Sequence, residues 1–452
     1  MRIYSSKTRR GTAVLACGLG LTLMVTACGS SDDDSPDAKG ASVDCAAFEQ
    51  YGDLKGKTVS VYTSIITPED KPHMDSYKPF EECTGAKIKY EGSKEFEAQL
   101  PIRIEAGNPP DIAYLPQPGS VRTLVAQFPD KFKVAPEEVV KNIDENFDPA
   151  WKEYGSVDGK LYAAPLGSNV KSFVWYSPAM FSENGWEIPT TLDELMTLSD
   201  TIAKKKIKPW CAGIGSGDAT GWPVTDWLED FMLRTAGPDV YDQWQKHEIP
   251  FTDPQVVTAL DAVGDILKNN DYVNGGLGDV KTIASTQFQE GGIPILRGEC
   301  AMHRQASFYG SNFAEAGAEI GEDKDVFAFY LPNKTADEKP VLVAGEFTAA
   351  FADRPEVKAF LAYLSSAEWA NAKAALSTGW VSANKKADPA NFKNPIDKLS
   401  VEIIQDPNAV TRFDASDLMP GAVNTAFWKQ MTDWITGKST ADALSGVEKS
   451  WP

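Results

Sequence analysis

Polar and apolar residues alternate over Thr58–Thr63 (TVSVYT), a period of two rich in β-branched and aromatic side chains, which predicts a strand. Residues 68–83 read as mostly helical, and 86–90 (AKIKY) as a second short strand. Phe96, Leu100 and Ile104 recur at i, i+4 and i+8, predicting a helix over 96–106 with Pro101 as a bend. Gly107-Asn108-Pro109-Pro110 stops it, and 111–115 (DIAYL) follows as a third strand. This β-α-β-α-β order predicts an open α/β sheet, in which ligands bind at the carboxyl ends of the strands. Residues after Thr63, Glu91 and Leu115 are therefore expected on the binding edge.

The middle of the chain repeats this logic. Strands are expected at 161–165 and Phe173–Tyr176, around Gly167-Ser168-Asn169. Thr191-Leu192-Asp193-Glu194 is a capping box opening a helix to about Lys204. The lysines that follow, Lys204-Lys205-Lys206 and Lys208, suit a solvated helix end better than a binding patch. Asp253 and Pro254 start a helix over 254–269. Short strands at 301–305, 326–331 and 341–344 and helices at Pro355–Leu364 and 423–436 complete the pattern. No short-period repeat argues for a solenoid or propeller.

The amino-terminal residues break from it. Residues 1–11 are basic, and 12–25 form an apolar run shorter than the ~20 residues of a membrane span. Val25-Thr26-Ala27-Cys28-Gly29 resembles a bacterial lipobox, so residues 1–27 are expected to be a lipoprotein signal peptide and Cys28 to carry diacylglycerol; the competing reading is an uncleaved signal anchor. Cys17 also follows small residues but interrupts the apolar run too early. Residues 28–44, with Asp32-Asp33-Asp34 and no aromatic or large aliphatic residue over 29–42, read as a solvated tether rather than a calcium site. No later stretch is long and apolar enough to span a bilayer. The expected location is the extracellular face of the cell membrane, held by lipid.

At 452 residues the chain should hold two or more compact units. Its 44 basic against 64 acidic residues give −20, and removing Arg2, Lys7, Arg9 and Arg10 with the signal gives 40 − 64 = −24. Phosphate binding needs lysine and arginine, so nucleic acid is excluded as a partner. Three histidines make a His-rich metal centre unpromising, no CxxC motif is present, and neither a metal nor a cofactor is expected. Apart from Cys17 and Cys28, four cysteines remain, which allow three connectivities.

Four segments together carry a family resemblance. Glu105-Ala106-Gly107-Asn108-Pro109-Pro110-Asp111-Ile112 and Gly159-Lys160-Leu161-Tyr162-Ala163-Ala164-Pro165 are two of them. Trp186-Glu187-Ile188-Pro189-Thr190-Thr191-Leu192-Asp193-Glu194-Leu195 and Arg297-Gly298-Glu299-Cys300-Ala301-Met302 are the others. In order and spacing the chain resembles a family 1 extracellular solute-binding protein of an ABC sugar importer. Arg412-Phe413-Asp414-Ala415-Ser416-Asp417-Leu418-Met419-Pro420 with Ala426-Phe427-Trp428 narrows the resemblance to the α-glucoside branch, whose ligands include maltose and trehalose.

The resemblance implies an α/β, periplasmic-binding-protein-like fold: two α/β lobes joined by a multi-segment hinge, with a ligand cleft between them. The first lobe would take 45–169 plus 345–370, and the second 170–344 plus 371–452. Crossovers would lie near 168–171, 343–346 and 369–375. The pairing that closes each disulfide within one lobe is Cys45–Cys83 with Cys211–Cys300. The implied partners are a small sugar and the importer's permease subunits, with the protein acting as a monomer.

A disaccharide offers hydroxyls at its rim and C–H faces above and below its rings. Carboxylates and amides meet the first, and aromatic faces the second. Residues 213–227 (GIGSGDATGWPVTDW) place Asp218 and Trp222 in a glycine-rich loop that matches neither a phosphate loop nor a dinucleotide fingerprint, while Trp227 is expected in the core. His303 and Gln305 share one face of a strand. Asp414, Asp417 and Trp428 come from the carboxyl-terminal block, Asp414 equally suiting a turn cap. Tyr62, Glu95, Gln117, Glu346 and Trp380 complete the candidates, with Ser64 a weaker one. The expected function is capture of an α-glucoside without bond breaking. The alternatives are a secreted glycoside hydrolase, with paired carboxyls, or the same fold holding a polyol or another oligosaccharide.

Overall fold

The computed structural model describes residues 43–274, 279–376 and 379–452. The expected signal peptide, Cys28 and the tether up to residue 42 lie outside them. Two sheets organise the described chain. The first contains β1 (Thr58–Thr63), β2 (Lys87–Gly92), β3 (Ile112–Leu115) and β4 (Ala163–Val170). The second contains β5 (Phe173–Tyr176), β6 (Lys208–Cys211), β7 (Val273–Asn274), β8 (Cys300–Arg304) and β9 (Phe327–Tyr330). The chain then returns to the first sheet through β10 (Lys339–Ala350) and β11 (Ala409–Phe413).

In the first sheet β1 lies between β2 and β3 and is parallel to both, with Thr63 opposite Gly92 and Tyr114. Strand β10 is antiparallel to β3 and β4 and parallel to β11. The second sheet runs in the order β9-β5-β8-β6-β7. The helix-separated parallel strands β1–β3 match the α/β order read from the sequence, and the two-lobed fold follows from this pair of sheets.

Strands β4 and β10 are longer than their sequence pattern predicts. Every residue of β4 is buried, so no polar alternation marks its extent. Gly345, which looks like a break, is instead a requirement of the pairing: a Cβ there would fall 2.1 Å from the Gly167 carbonyl oxygen. A third segment joins this region at Val381, whose N–H donates to the Ser168 carbonyl at 3.0 Å while its carbonyl accepts from the Ser168 N–H at 2.8 Å. It lies beyond the expected 369–375, which forms part of a helix, Ala367–Leu376.

Local signals mostly act as expected. The helix Leu192–Lys204 is capped by Thr191, which accepts from the Glu194 N–H, and Glu194 reaches back past the cap to the N–H of Thr190. Trp227 is buried, its ring edge-on to Trp210 at 5.2 Å. Disulfides join Cys45 to Cys83 and Cys211 to Cys300, the second bridging β6 and β8. Helices Gly421–Ile435 and Thr440–Glu448 pack together, the first also against Trp222–Thr235 and the second against Pro254–Leu267. Among the described residues no helix is long and apolar enough to cross a membrane, and no cluster of metal-ligating side chains forms.

Candidate functional site

Strands β1, β2 and β3 end at the same edge, and the segments that leave them wall one cleft. Ser64, Ile65, Ile66 and Glu69 follow β1, Lys94 and Glu97 follow β2, and Pro116 and Gln117 follow β3. The cleft encloses about 920 Å³ including its open mouth. Its opposite wall carries Trp222, Thr225, Asp226, Phe288 and Phe308, with Asp414, Asp417 and Trp428 from the carboxyl-terminal part.

Two close approaches assemble that wall. Gly221 caps the Trp222–Thr235 helix at φ 113°, and a Cβ on it would lie 2.1 Å from the Trp428 carbonyl oxygen. Only glycine accepts both conditions, so the start of one helix meets the backbone of the other, and both tryptophans line the cleft. On the other side, Arg122 Nη2 donates to the Leu418 carbonyl at 2.7 Å, holding the loop of Gln117 against the turn of Asp417. Trp222 meets Phe288 edge-on at 5.0 Å and Phe308 at 6.2 Å, forming an apolar plate half exposed to the cleft.

Beneath the plate lies a buried charge network. Lys171 Nζ donates to Asp226 at 2.9 Å and to Asp414 at 2.5 Å, and sits 5.4 Å from the centre of the Trp222 ring. Arg304 donates to Asp226 at 3.1 Å and pairs with Asp230, which Arg234 also holds at 2.7 Å. Glu229 accepts the N–H groups of Ala415 and Ser416. Burial, then repulsion from Asp414, pushes the Glu229 and Asp417 carboxyls well up. Burial also opposes ionisation of Asp414, but Lys171 and the Asp417 N–H hold its pKa below the ordinary value. Asp414 is thus both the turn cap and a wall residue, its Oδ1 accepting from the Asp417 N–H at 3.0 Å.

Of the sequence candidates, Gln117, Trp222, Glu346, Asp414, Asp417 and Trp428 line the cleft. Trp380 lines a smaller annex, which shares Ile65, Glu69, Asn169, Phe308 and Glu346 with the main chamber. Glu95 and Asp218 lie outside the lining, exposed and hydrogen-bonded to each other, a contact that raises the Glu95 pKa.

Three candidates sit elsewhere. Tyr62 is buried under the helix Phe96–Glu105, its ring against Phe96 at 5.0 Å and the Arg103 guanidinium at 3.8 Å. His303 is on β8, flanked by β5 and β6. Its Nδ1 lies 2.9 Å from the Cys211 carbonyl oxygen and its ring 4.7 Å from Tyr309, while burial lowers its pKa to about 4. Gln305 is fully buried and turns its Oε1 to the Ala306 N–H. The shared face of His303 and Gln305 therefore packs into the protein rather than into the cleft.

Sequence reasoning missed Glu69, Glu97, Asn169, Lys171, Asp226, Phe288 and Phe308 as wall residues. Asp226 carried a usable signal, standing four residues after Trp222 on the same helix. Phe288 and Phe308 lie in short helical turns with no periodicity to read.

Comparison with known proteins agrees with this geometry. The family described as bacterial extracellular solute-binding protein matches residues 60–371. The alpha-glucosides-binding periplasmic protein AglE of Rhizobium meliloti is 39% identical over 420 residues, 89% of each chain. The osmoprotective compounds-binding protein GgtB of Synechocystis sp. is 38% identical over 408 residues, covering 89% of this chain and 94% of that one. Among solved structures, the bacterial solute receptor AcbH shares the fold with a TM-score of 0.74 at 19% identity, over 87% of this chain and 98% of that one. The chain belongs to the bacterial extracellular solute-binding proteins, the non-enzymatic binding components of ABC importers.

Proposed function

We propose that the cleft captures an α-glucoside or a related neutral di- or oligosaccharide and delivers it unaltered to an ABC permease. The observation that carries this reading is the convergence of Trp222 and Trp428 with Glu346, Asp414, Asp417 and Gln117 around one chamber. Indole faces suit sugar C–H surfaces, and carboxylates and amides suit hydroxyls. The name of the Rhizobium meliloti relative supports the α-glucoside class, and that of the Synechocystis relative extends it to osmoprotective compounds. A polyol is therefore the second ligand class worth testing.

The first sheet would form the core of one lobe and the second sheet that of the other, with 168–170, 343–346 and Val381 as the joint. Ligand binding more tightly to the closed arrangement would shift the population toward it. Cleavage before Cys28 and lipid attachment there would hold a monomer at the extracellular face of the cell membrane, in keeping with the basic, apolar and small-residue order of residues 1–29.

A thermal-shift panel of maltose, trehalose, sucrose, isomaltose, a polyol and unrelated solutes tests the reading. A ligand at 100 times its Kd adds about 2.7 kcal/mol of stability. Stabilisation by α-glucosides is expected; stabilisation by the polyol alone moves the assignment to that class.

A further inference from the structure

The cleft wall has a strong charge bias. Six carboxyl side chains line it, Glu69, Glu97, Glu346, Asp226, Asp414 and Asp417, against two amines, Lys94 and Lys171. Lys171 is already held between Asp226 and Asp414. Lys94 stands at the exposed mouth, 3.5 Å from Gln287 Oε1. Behind Glu69 and Glu346 lies Lys373, whose charge is offset in turn by Asp397, and His73 there is kept neutral by burial and by Lys373. Arg304 is taken up by Asp226 and Asp230. Among the described residues, Lys94 at the mouth is the one lining cation without a carboxylate partner, and deeper in the main chamber the lining amine, Lys171, is held by two carboxylates.

A second observation is independent of the carboxyls. Asn169 is 6% exposed and lines the chamber, and its Oδ1 has no hydrogen-bond partner. The buried Oε1 of Gln289, another wall residue, also has none. Both are acceptors, so both call for a donor from an occupant.

We propose that the cleft is a charge filter: it admits a neutral saccharide or one bearing an ammonium group, and rejects the same saccharide bearing a carboxylate or phosphate. The inference rests on the saccharide reading above. Hydroxyls and ammonium groups supply the donors that Asn169 and Gln289 lack. Anionic groups supply acceptors only, and place a negative charge where burial already disfavours one. Burial already raises the Glu69 pKa to about 8 and those of Glu97 and Glu346 to about 7, so these walls resist further negative charge.

The test is calorimetric titration at pH 7 with three nearly isosteric ligands. They are the tightest-binding neutral α-linked disaccharide of the panel, its derivative with the primary hydroxyl of the non-reducing ring replaced by an amine, and its derivative with that carbon oxidised to carboxylate. The amine is expected to bind within about tenfold of the parent or tighter, and the carboxylate at least about a hundredfold more weakly. The double substitution Glu69→Gln with Glu346→Gln should narrow that gap, whereas an unchanged gap assigns it to shape and overturns the filter. If all three ligands bind alike, the filter falls while the saccharide reading stands. If none binds, or only the carboxylate does, both readings fall.

Discussion

Lys171 Nζ stands between two carboxylates contributed by distant segments, 2.9 Å from Asp226 Oδ1 and 2.5 Å from Asp414 Oδ2. All three residues are buried, and Lys171 leaves the end of β4 where the chain passes from the first sheet to the second. A buried ion pair contributes little net stability against an apolar replacement, but removing one partner strands the other charges. Lys171→Met should therefore destabilise the protein by about 3–5 kcal/mol. Adding Asp414→Asn should recover part of the loss. Urea denaturation of both variants checks this, and equal stability of Lys171→Met and the native protein would contradict it.

Trp222 and Trp428 differ in what they support. Trp222 is only partly buried on the cleft wall, so Trp222→Ala should weaken sugar binding about tenfold or more with a smaller change in melting temperature than truncation of Trp428. Trp428 is 6% exposed and sits inside the helix Gly421–Ile435, so Trp428→Ala should weaken binding and also cost about 3–5 kcal/mol of stability. Titration calorimetry and thermal melts on the two variants separate these outcomes.

The acidic wall makes stability depend on pH. Burial is the main cause that raises Glu69 to about 8 and Glu346 to about 7, above their unfolded values near 4.5. Between those limits the folded protein binds more protons than the unfolded chain, so their contribution falls as pH rises. His73 works in the opposite sense below about 6.5, and Lys373 above about 8, since burial lowers both. From pH 6.5 to 8, thermal melts of the ligand-free protein should show falling stability. Glu69→Gln should flatten that slope, and an unchanged slope would remove Glu69 as its source.

Each disulfide should contribute through the unfolded chain. Cys45–Cys83 closes a separation of 38 residues and Cys211–Cys300 one of 89. Loop entropy assigns each about 4 kcal/mol, slightly more for the longer loop. Replacing either pair with alanines should lower the denaturation free energy by that order, and a loss near zero for both would contradict the entropic account.

How far the sequence discloses this molecule depends on how each element signals itself. The helix Phe96–Glu105 buries one face and β1 opens with the alternation Thr58-Val59-Ser60-Val61, so their periodicity is plain, and the binding edge at Ser64, Lys94 and Gln117 follows from their order. Strand β4 is buried throughout and hides its length. Among wall residues, Trp222 and Asp414 were legible because their chemistry is unusual where they stand. Tyr62 and His303 share that chemistry, yet Tyr62 lies beneath a helix and His303 in an inner strand of the second sheet. Lys171 becomes a site residue only when segments 55 and 243 residues away reach it, a long-range contact that no local pattern announces.

The most direct test is titration of the purified protein with maltose and trehalose in a calorimeter, followed by recovery of the sugar. One-site saturation is expected for at least one of them, near −8 kcal/mol for micromolar affinity, with the disaccharide recovered whole. Absence of saturable heat with either sugar, or release of free glucose, would contradict the account.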